Sequence, residues 1–341
     1  MKDALILIPS YEPDSLLVKT VNELSENDYP ILLVNDGSSS LYDEIFNQVK
    51  DKVKYLSYSK NKGKGYAMKY GYKHIHSLFP EVKYVITVDG DGQHTLKDIN
   101  RVYDELVKYD ELVFGVRTFD KDVPFRSKFG NDFSKVTRSL VTKTYIQDDQ
   151  CGLRGFPIRY IPELIKIGGN RYEYEMNQII RLQLRQYPLI TIPIETVYLD
   201  NNTRSHFAPF RDTFRIQTII FLHSIPALIC LALLMMTLSF YIKYNAYPLV
   251  FSVIFSYTWT FALYFLLMNI FNPSQRFFRR LFKELLFVAI RMSTCYLTFI
   301  WFFNNIDLSI WAPIVVPITV LVMESLNVLF SWLFRKMFRT F

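Results

Sequence analysis

Four long apolar runs in the last third of the chain limit what it can fold into more than any other feature. Thr218–Ile242 holds 25 residues without a formal charge, and Ala246–Asn272 another 27. Leu285–Ile306 is interrupted only by Arg291, and Ser309–Phe334 only by Glu324. A helix that spans a bilayer needs roughly 20 apolar residues, so all four runs qualify. A soluble all-helical domain is the alternative, and four successive runs of this length argue against it. The sequence predicts a four-helix transmembrane domain over residues 218–341.

The distribution of charge supports that division. From Thr218 onward nine Lys/Arg stand against three Asp/Glu, whereas the remainder of the 341 residues carries 30 basic and 29 acidic side chains. The formal charge of +7 therefore belongs to the apolar third. A nucleic-acid binder would carry its basic excess on the folded domain, so no nucleic-acid partner is expected. Arg276, Arg279, Arg280 and Lys283 lie between the second and third runs, and Arg335, Lys336 and Arg339 follow the fourth. Basic flanks stay cytoplasmic. This predicts an integral plasma-membrane protein with both termini and the N-terminal domain inside. The apolar run Ala4–Ile8 stops at Pro9, too short for a signal peptide. Cys151, Cys230 and Cys295 are scattered and fit neither a disulfide framework nor a zinc site.

Two further expectations concern the membrane half. In residues 205–217, Phe207, Phe210, Phe214 and Ile216 can share one helical side while Arg211 and Arg215 point elsewhere. That pattern fits either an interfacial amphipathic helix or a plain linker helix. Arg291 and Glu324 fall at similar depths of antiparallel neighbouring spans, and an isolated charge there costs at least about 2.5 kcal/mol. The two are expected to pair, with Asn327 one turn from Glu324; binding of a lipid phosphate by Arg291 and snorkelling are the alternatives.

Residues 1–204 alternate short β-branched segments with amphipathic ones. Leu5–Pro9, Ile31–Asn35, Val53–Tyr58, Tyr84–Asp89 and Leu112–Val116 read as strands; Asp14–Leu24, Gly65–Leu78 and Leu96–Lys108 read as helices. Such alternation predicts an α/β domain with a mostly parallel sheet. Ligands bind such sheets beyond the carboxyl ends of the strands. Polar, glycine-containing segments follow four of the strands in order: Pro9-Ser10-Tyr11-Glu12-Pro13, Asn35-Asp36-Gly37-Ser38, Asn61-Lys62-Gly63-Lys64-Gly65 and Asp89-Gly90-Asp91-Gly92-Gln93-His94. Each alone reads as a turn; together they mark a site.

The Asp-Gly-Asp segment has a direct chemical use. Hard divalent cations take oxygen ligands, and one or two carboxylates commonly join Mg²⁺ or Mn²⁺ to substrate phosphates. The cation neutralises charge on a departing diphosphate. A solvated acidic turn is the alternative. His94 suits a ligand and a structural role equally.

These motifs resemble a family 2 glycosyltransferase of the polyprenyl-phosphate type, similar to dolichol-phosphate mannose synthase, over about residues 3–206. Gly115-Val116-Arg117 and Asp148-Asp149-Gln150-Cys151-Gly152-Leu153-Arg154-Gly155-Phe156 add to the likeness. The apolar third is similar to GtrA, a four-span family fused to such domains. The resemblance implies an A-type glycosyltransferase domain at 1–204, an interfacial segment at 205–217 and a GtrA-like domain at 218–341. It implies a nucleoside-diphosphate sugar, with uridine favoured, as donor and a polyprenyl phosphate as acceptor. Pro9, Tyr11, Glu12, Asp36 and Lys64 would border the nucleotide, and Arg204 and Ser205 would meet the donor diphosphate. Asp89, Asp91 and Gln93 would hold Mg²⁺ or Mn²⁺. Arg117 and Arg126 would face the acceptor phosphate and sugar, and Asp148 is a candidate base or sugar ligand. Arg154 stands between a structural and a phosphate-binding role, and Glu173 and Glu175 either sit near the sugar or brace the fold. Cys151 replaces the usual Ser or Thr, and Asn202-Thr203-Arg204 departs from the family's arginine loop. An acceptor phosphate is already ionised, so no strong base is required, and in-line attack would invert the anomeric centre. Three rivals remain: a nucleotidyltransferase, a processive polysaccharide synthase whose Gln-x-x-Arg-Trp motif is absent here, and a flippase with an accessory sugar-nucleotide domain. Homo-oligomerisation is left open.

Overall fold

The computed structural model describes residues 2–117, 148, 151–195, 209–244, 248–272, 277–305 and 311–322. It divides into two compact units, one drawn from the first 219 residues and one from Ile220 onward together with Leu182–Gln186.

The first unit contains strands β1 (Ala4–Ser10), β2 (Ile31–Asn35), β3 (Lys54–Ser57), β4 (Tyr84–Thr87), β5 (Leu112–Arg117), β6 (Arg154–Pro157) and β7 (Leu189–Ile194). They form one sheet in the order β3-β2-β1-β4-β6-β5-β7. All pairings are parallel except those of β6 with β4 and β5. The strand order reverses between β1 and β4. A crevice at such a reversal is where α/β sheets bind ligands.

Helices α1 (Ser15–Glu26), α2 (Asp43–Asn47), α3 (Lys64–Leu78) and α4 (Leu96–Tyr109) follow the first four strands. The Asp14 carboxylate accepts from Leu16 N at 2.8 Å and caps α1. Thr95 and Asp98 cap α4 reciprocally: Thr95 Oγ1 accepts from Asp98 N at 3.2 Å and donates to Asp98 Oδ2 at 2.9 Å. The buried Ile99, Val102 and Leu106 of α4 join Leu17, Val21 and Leu24 of α1 against Ala4, Ile6 and Ile8 of β1. The opposite face packs on α3, where a Cβ at Gly71 would come within 2.5 Å of Leu7 Cδ1. With both faces covered, β1 is a continuous apolar run.

The first five strands fall where the alternation puts them, within a residue or two. Strands β6 and β7 are additional. Arg154-Gly155-Phe156-Pro157 lacks a central strand's composition, since Pro and Gly normally weaken one. Here Gly155 is required: a Cβ would lie 2.6 Å from Leu106 Cδ1 of α4. Pro157 ends the strand, and the Arg154 guanidinium finds its partners inside the protein. Strand β7 carries Pro193 and is tolerated because it lies at the sheet edge. Helices α5 (Ile161–Ile165) and α6 (Glu173–Leu184) lie between these two strands in the chain.

The remaining helices are α7 (Pro209–Lys243), α8 (Leu249–Phe271), α9 (Phe277–Asn305) and α10 (Trp311–Val322). Among the described residues, three stretches, Arg211–Lys243, Leu249–Ile270 and Arg280–Trp301, are long and apolar enough to cross a membrane. Helix α7 runs through the expected boundary at residue 217 without a break, so its first turns and the first apolar run are one helix. The fourth run is helical over Trp311–Val322; Glu324 and Asn327 lie outside the described residues. Leu234, Leu238, Val253, Tyr257, Cys295, Phe299 and Val316 form the core of this unit.

Candidate active site

Four loops and the segment entering β6 meet at the carboxyl edge of the parallel strands. Because β6 runs antiparallel, with Arg154 opposite Thr87 of β4, the residues before it arrive at the same edge as the ends of β1, β2, β4 and β5. That topology brings Gly152 to the Asp-Gly-Asp loop and Asp148 to Arg117 at the end of β5, both distant in sequence.

Pro9 sits within β1 opposite Val34, and the loop after β1 turns at Tyr11 and Glu12. Glu12 has φ 48°, unusual for a side chain of its kind, and its N–H donates to Ser38 Oγ at 2.8 Å. This fixes the first loop against the second. The Tyr11 hydroxyl is pushed above its ordinary pKa, first by its hydrogen bond to Glu12 and then by burial.

Asp36 is buried and saturated. Its Oδ1 accepts from Tyr58 Oη at 2.7 Å and from Lys62 N at 2.8 Å; its Oδ2 accepts from Gly63 N at 2.8 Å and Asn61 Nδ2 at 3.1 Å. A carboxylate has about four acceptor sites, so its capacity is filled by the loop after β3. Gly37 (φ 70°) lets that loop approach: a Cβ there would lie 2.3 Å from the Lys60 carbonyl carbon.

The same loop delivers Lys64, the first residue of α3. Its Nζ lies 2.7 Å from Asp89 Oδ1 and 3.0 Å from Glu175 Oε1. Burial alone would lower the Lys64 pKa, but the two carboxylates overturn that and raise it well above an ordinary lysine. Burial likewise pushes Asp89 up, yet Lys64 and His94 hold it well below the usual carboxylate range. His94 Nε2 lies 3.5 Å from Asp89 Oδ2, with its side chain 6% exposed. Gly152 covers the same oxygen, since a Cβ there would sit 2.3 Å from it.

Asp91 is placed differently. It reaches solvent, and Gln93 N donates to its Oδ1 at 3.1 Å. Nearby protein mass and then the charge of Asp89 raise its pKa above the ordinary range. Among the described residues no three His, Cys, Asp or Glu side chains gather as a ready metal cage. One open carboxylate beside a paired one is a hard-oxygen set that phosphate oxygens would have to complete.

Arg117 and Asp148, read separately in the sequence, form one pair. Arg117 Nε donates to Asp148 Oδ2 at 2.7 Å and Nη2 to Oδ1 at 3.1 Å, while Arg117 N also reaches Oδ2 at 3.2 Å. This two-pronged contact fixes the plane of the guanidinium. It occupies both Asp148 oxygens, which suits orienting Arg117 better than accepting a proton. Cys151 is buried beside them, its thiol pushed up to about 12 by burial and by Asp148.

Arg154 resolves to the structural of its two roles. It is 1% exposed; Nε donates to Cys151 O at 3.0 Å, and Nη1 to Glu175 O at 2.9 Å and Gln178 Oε1 at 2.7 Å. Glu173 Oε1 accepts from Asn170 N at 3.0 Å and Arg171 N at 3.2 Å, bracing the entry to α6. Glu175 is the participant that the sequence leaves undecided. Arg126, Arg204 and Ser205 lie outside the described residues.

Residues 5–165 match the family model for glycosyl transferase family 2. The match covers just under half of the chain; the fold is a mostly parallel A-type fold, and the protein is a glycosyltransferase. It is similar to a UDP-N-acetylglucosamine–dolichyl-phosphate N-acetylglucosaminyltransferase of Methanococcus voltae, 27% identical over 226 residues, covering 59% of this chain and 88% of that one. A dolichyl-phosphate beta-glucosyltransferase of Dictyostelium discoideum is also 27% identical, covering 60% of this chain and 66% of its own length. Glucosyl-3-phosphoglycerate synthase from Mycobacterium tuberculosis, solved with Mn²⁺, UDP and phosphoglyceric acid, superimposes with a TM-score of 0.47 at 11% identity, covering 64% of this chain and 78% of that one.

Proposed function

We propose that the protein transfers a sugar from a nucleoside-diphosphate sugar, with UDP favoured, to a polyprenyl phosphate of the dolichyl kind. The reaction inverts the anomeric centre, depends on Mg²⁺ or Mn²⁺ and takes place at the cytoplasmic face of the plasma membrane. The observation that carries this reading is the open Asp91 carboxylate beside the Lys64-paired Asp89, at the sheet's ligand edge, in a chain whose described residues include helices able to span a bilayer. The names of the relatives from Methanococcus and Dictyostelium support the lipid-phosphate acceptor.

Asp91, with Gln93 beside it, would hold the cation, and Asp89 would back it. A bound divalent ion supplies charge neutralisation for the departing diphosphate. Pro9, Tyr11 and Glu12 border the nucleotide. Asp36 serves that end by fixing the 61–63 loop against it. Arg117, oriented by Asp148, receives the acceptor phosphate, and Arg126 assists it. The acceptor oxygen arrives ionised, so these residues align rather than deprotonate it. Arg204 and Ser205 close over the donor diphosphate. Residues 1–204 form the catalytic domain and 218–341 a GtrA-like membrane domain.

The test uses the purified full-length protein, a panel of radiolabelled UDP- and GDP-sugars, and polyprenyl phosphate present or absent. Label should pass into an organic-extractable product only with the lipid, and EDTA should stop it until Mg²⁺ or Mn²⁺ is restored. Full transfer in EDTA would remove the metal role. Label moving to a soluble acceptor would remove the lipid one.

A further inference from the structure

Asp89 keeps 26% of its side chain exposed, yet protein groups face both of its oxygens. Lys64 Nζ occupies Oδ1 at 2.7 Å; His94 at 3.5 Å and the backbone of Gly152 cover Oδ2. Lys64 is itself held from both ends. Asp36 fixes the backbone just before it through Lys62 N and Gly63 N, and Glu175 receives its ammonium at 3.0 Å. Glu175 in turn sits on the helix whose backbone the buried Arg154 grips. The ammonium is therefore a fixed part of the site, placed by two buried carboxylates, Asp36 and Glu175.

We infer that Lys64 is a resident cation for Asp89, a positioning residue that withholds this carboxylate from a divalent ion until a nucleoside diphosphate is bound. The inference rests on the metal-dependent reading above. With Lys64 in place, Asp91 is the more open member of the Asp-Gly-Asp pair, since it is exposed and only Gln93 N donates to it, whereas Asp89 already carries the ammonium. A single carboxylate is a weak site for Mg²⁺ or Mn²⁺, which usually take one or two together with substrate phosphates. The ammonium also repels an incoming dication at short range. A diphosphate reverses both conditions, since it brings oxygen ligands and negative charge that Lys64 can face. Metal and donor are thereby made to bind as a unit, and the nucleotide-free protein does not trap a cation between its carboxylates.

By linkage, the factor by which the nucleotide tightens metal binding equals the factor by which metal tightens the nucleotide. Lys64 sets that factor. Manganese binding is read from the electron paramagnetic resonance of free Mn²⁺ with the full-length protein, alone and with saturating UDP or GDP. The wild type should bind Mn²⁺ weakly alone and at least about tenfold more tightly with one nucleotide. Lys64→Met should strengthen nucleotide-free binding at least about tenfold and shrink the coupling, while Lys64→Arg, which keeps the charge, should preserve it. Glu175→Gln removes a carboxylate but leaves Lys64 on Asp89, so nucleotide-free binding should stay weak. Lys64→Gln gives a second neutral variant if Lys64→Met does not fold.

Unchanged or weaker nucleotide-free binding in both neutral variants overturns the inference. So does a wild type that binds Mn²⁺ equally well with and without nucleotide. A wild type that binds no Mn²⁺ even with UDP or GDP overturns the metal reading itself, and that result is distinct from the other two.

Discussion

The loop after β2 and the loop after β4 each anchor an aspartate at the same edge of the same sheet, and they do so by opposite means. Asp36 is satisfied by backbone amides, an asparagine amide and a tyrosine hydroxyl, all neutral. Asp89 is satisfied by an ammonium that a second carboxylate shares. Neutral donors fixed in a backbone cannot be exchanged without unfolding the loop, so Asp36 is architecture. A charge pair can be rebalanced by another charge, so the Asp89 region can respond to a ligand. One fold thus keeps the Asp36 loop rigid and the Asp89 loop responsive.

The largest effect that would test this contrast belongs to the open carboxylate. Asp91→Asn should reduce sugar transfer on the order of 10³-fold while thermal melting stays at the wild-type value. Melting that collapses alongside activity would make Asp91 architectural too.

Asp36→Asn should act in the reverse sense. Whichever way the new amide turns, its nitrogen faces Lys62 N or Gly63 N, donor against donor, which costs about 3 kcal/mol. The melting temperature should drop, and amide exchange at Lys62 and Gly63 should accelerate. A stable variant with slow exchange there would erase the distinction between the two loops.

Gly152→Ala tests the packing around Asp89 directly. The added carbon would lie 2.3 Å from Oδ2, so either the carboxylate or the backbone must move. Overpacking of this kind costs about 2 kcal/mol. Transfer should fall further than stability alone explains. Wild-type activity would mean that the position of Asp89 does not matter.

The smallest expected effect sharpens a third way of holding a carboxylate, the Arg117–Asp148 fork. Arg117→Lys keeps the charge but cannot make two parallel contacts. The KM for polyprenyl phosphate should rise about tenfold, equivalent to about 1.4 kcal/mol, with nucleoside diphosphate affinity by calorimetry unchanged. An equal loss of both would move Arg117 to the donor site.

Much of this architecture is legible in the amino-acid sequence. Strand-ending segments such as Asn35-Asp36-Gly37-Ser38 announce themselves because turn chemistry is local and glycine is needed where φ is positive. The apolar runs are legible for a similar reason: length and hydropathy are properties of a segment alone. What is not legible depends on pairs far apart in the chain. Asp148 meets Arg117 across 31 positions, and Glu175 meets Lys64 across more than a hundred. Strand β6 cannot be read because its Arg, Gly and Pro are each excused by tertiary partners: the carbonyls around Arg154, Leu106 against Gly155, and the strand's end at Pro157. Asp36 shows a subtler limit. Its position is evident, but nothing local reveals that protein donors fill its capacity.

The insertion of β6 between β4 and β5 also dictates an order of assembly. Among the described residues, strands β1 to β4 pair with one another, apart from one edge of β4, and can close once residue 87 has emerged. Strand β5 has no partner among the described residues until β6 and β7 appear, because its pairings are with those two. During synthesis Leu112–Arg117 therefore waits as an apolar orphan while some forty further residues are made. Non-local pairing of this kind slows folding and leaves strand edges open to association. The nascent chain is thus most vulnerable to aggregation just before Arg154 seats, and a ribosome pause in that interval would lengthen the exposure.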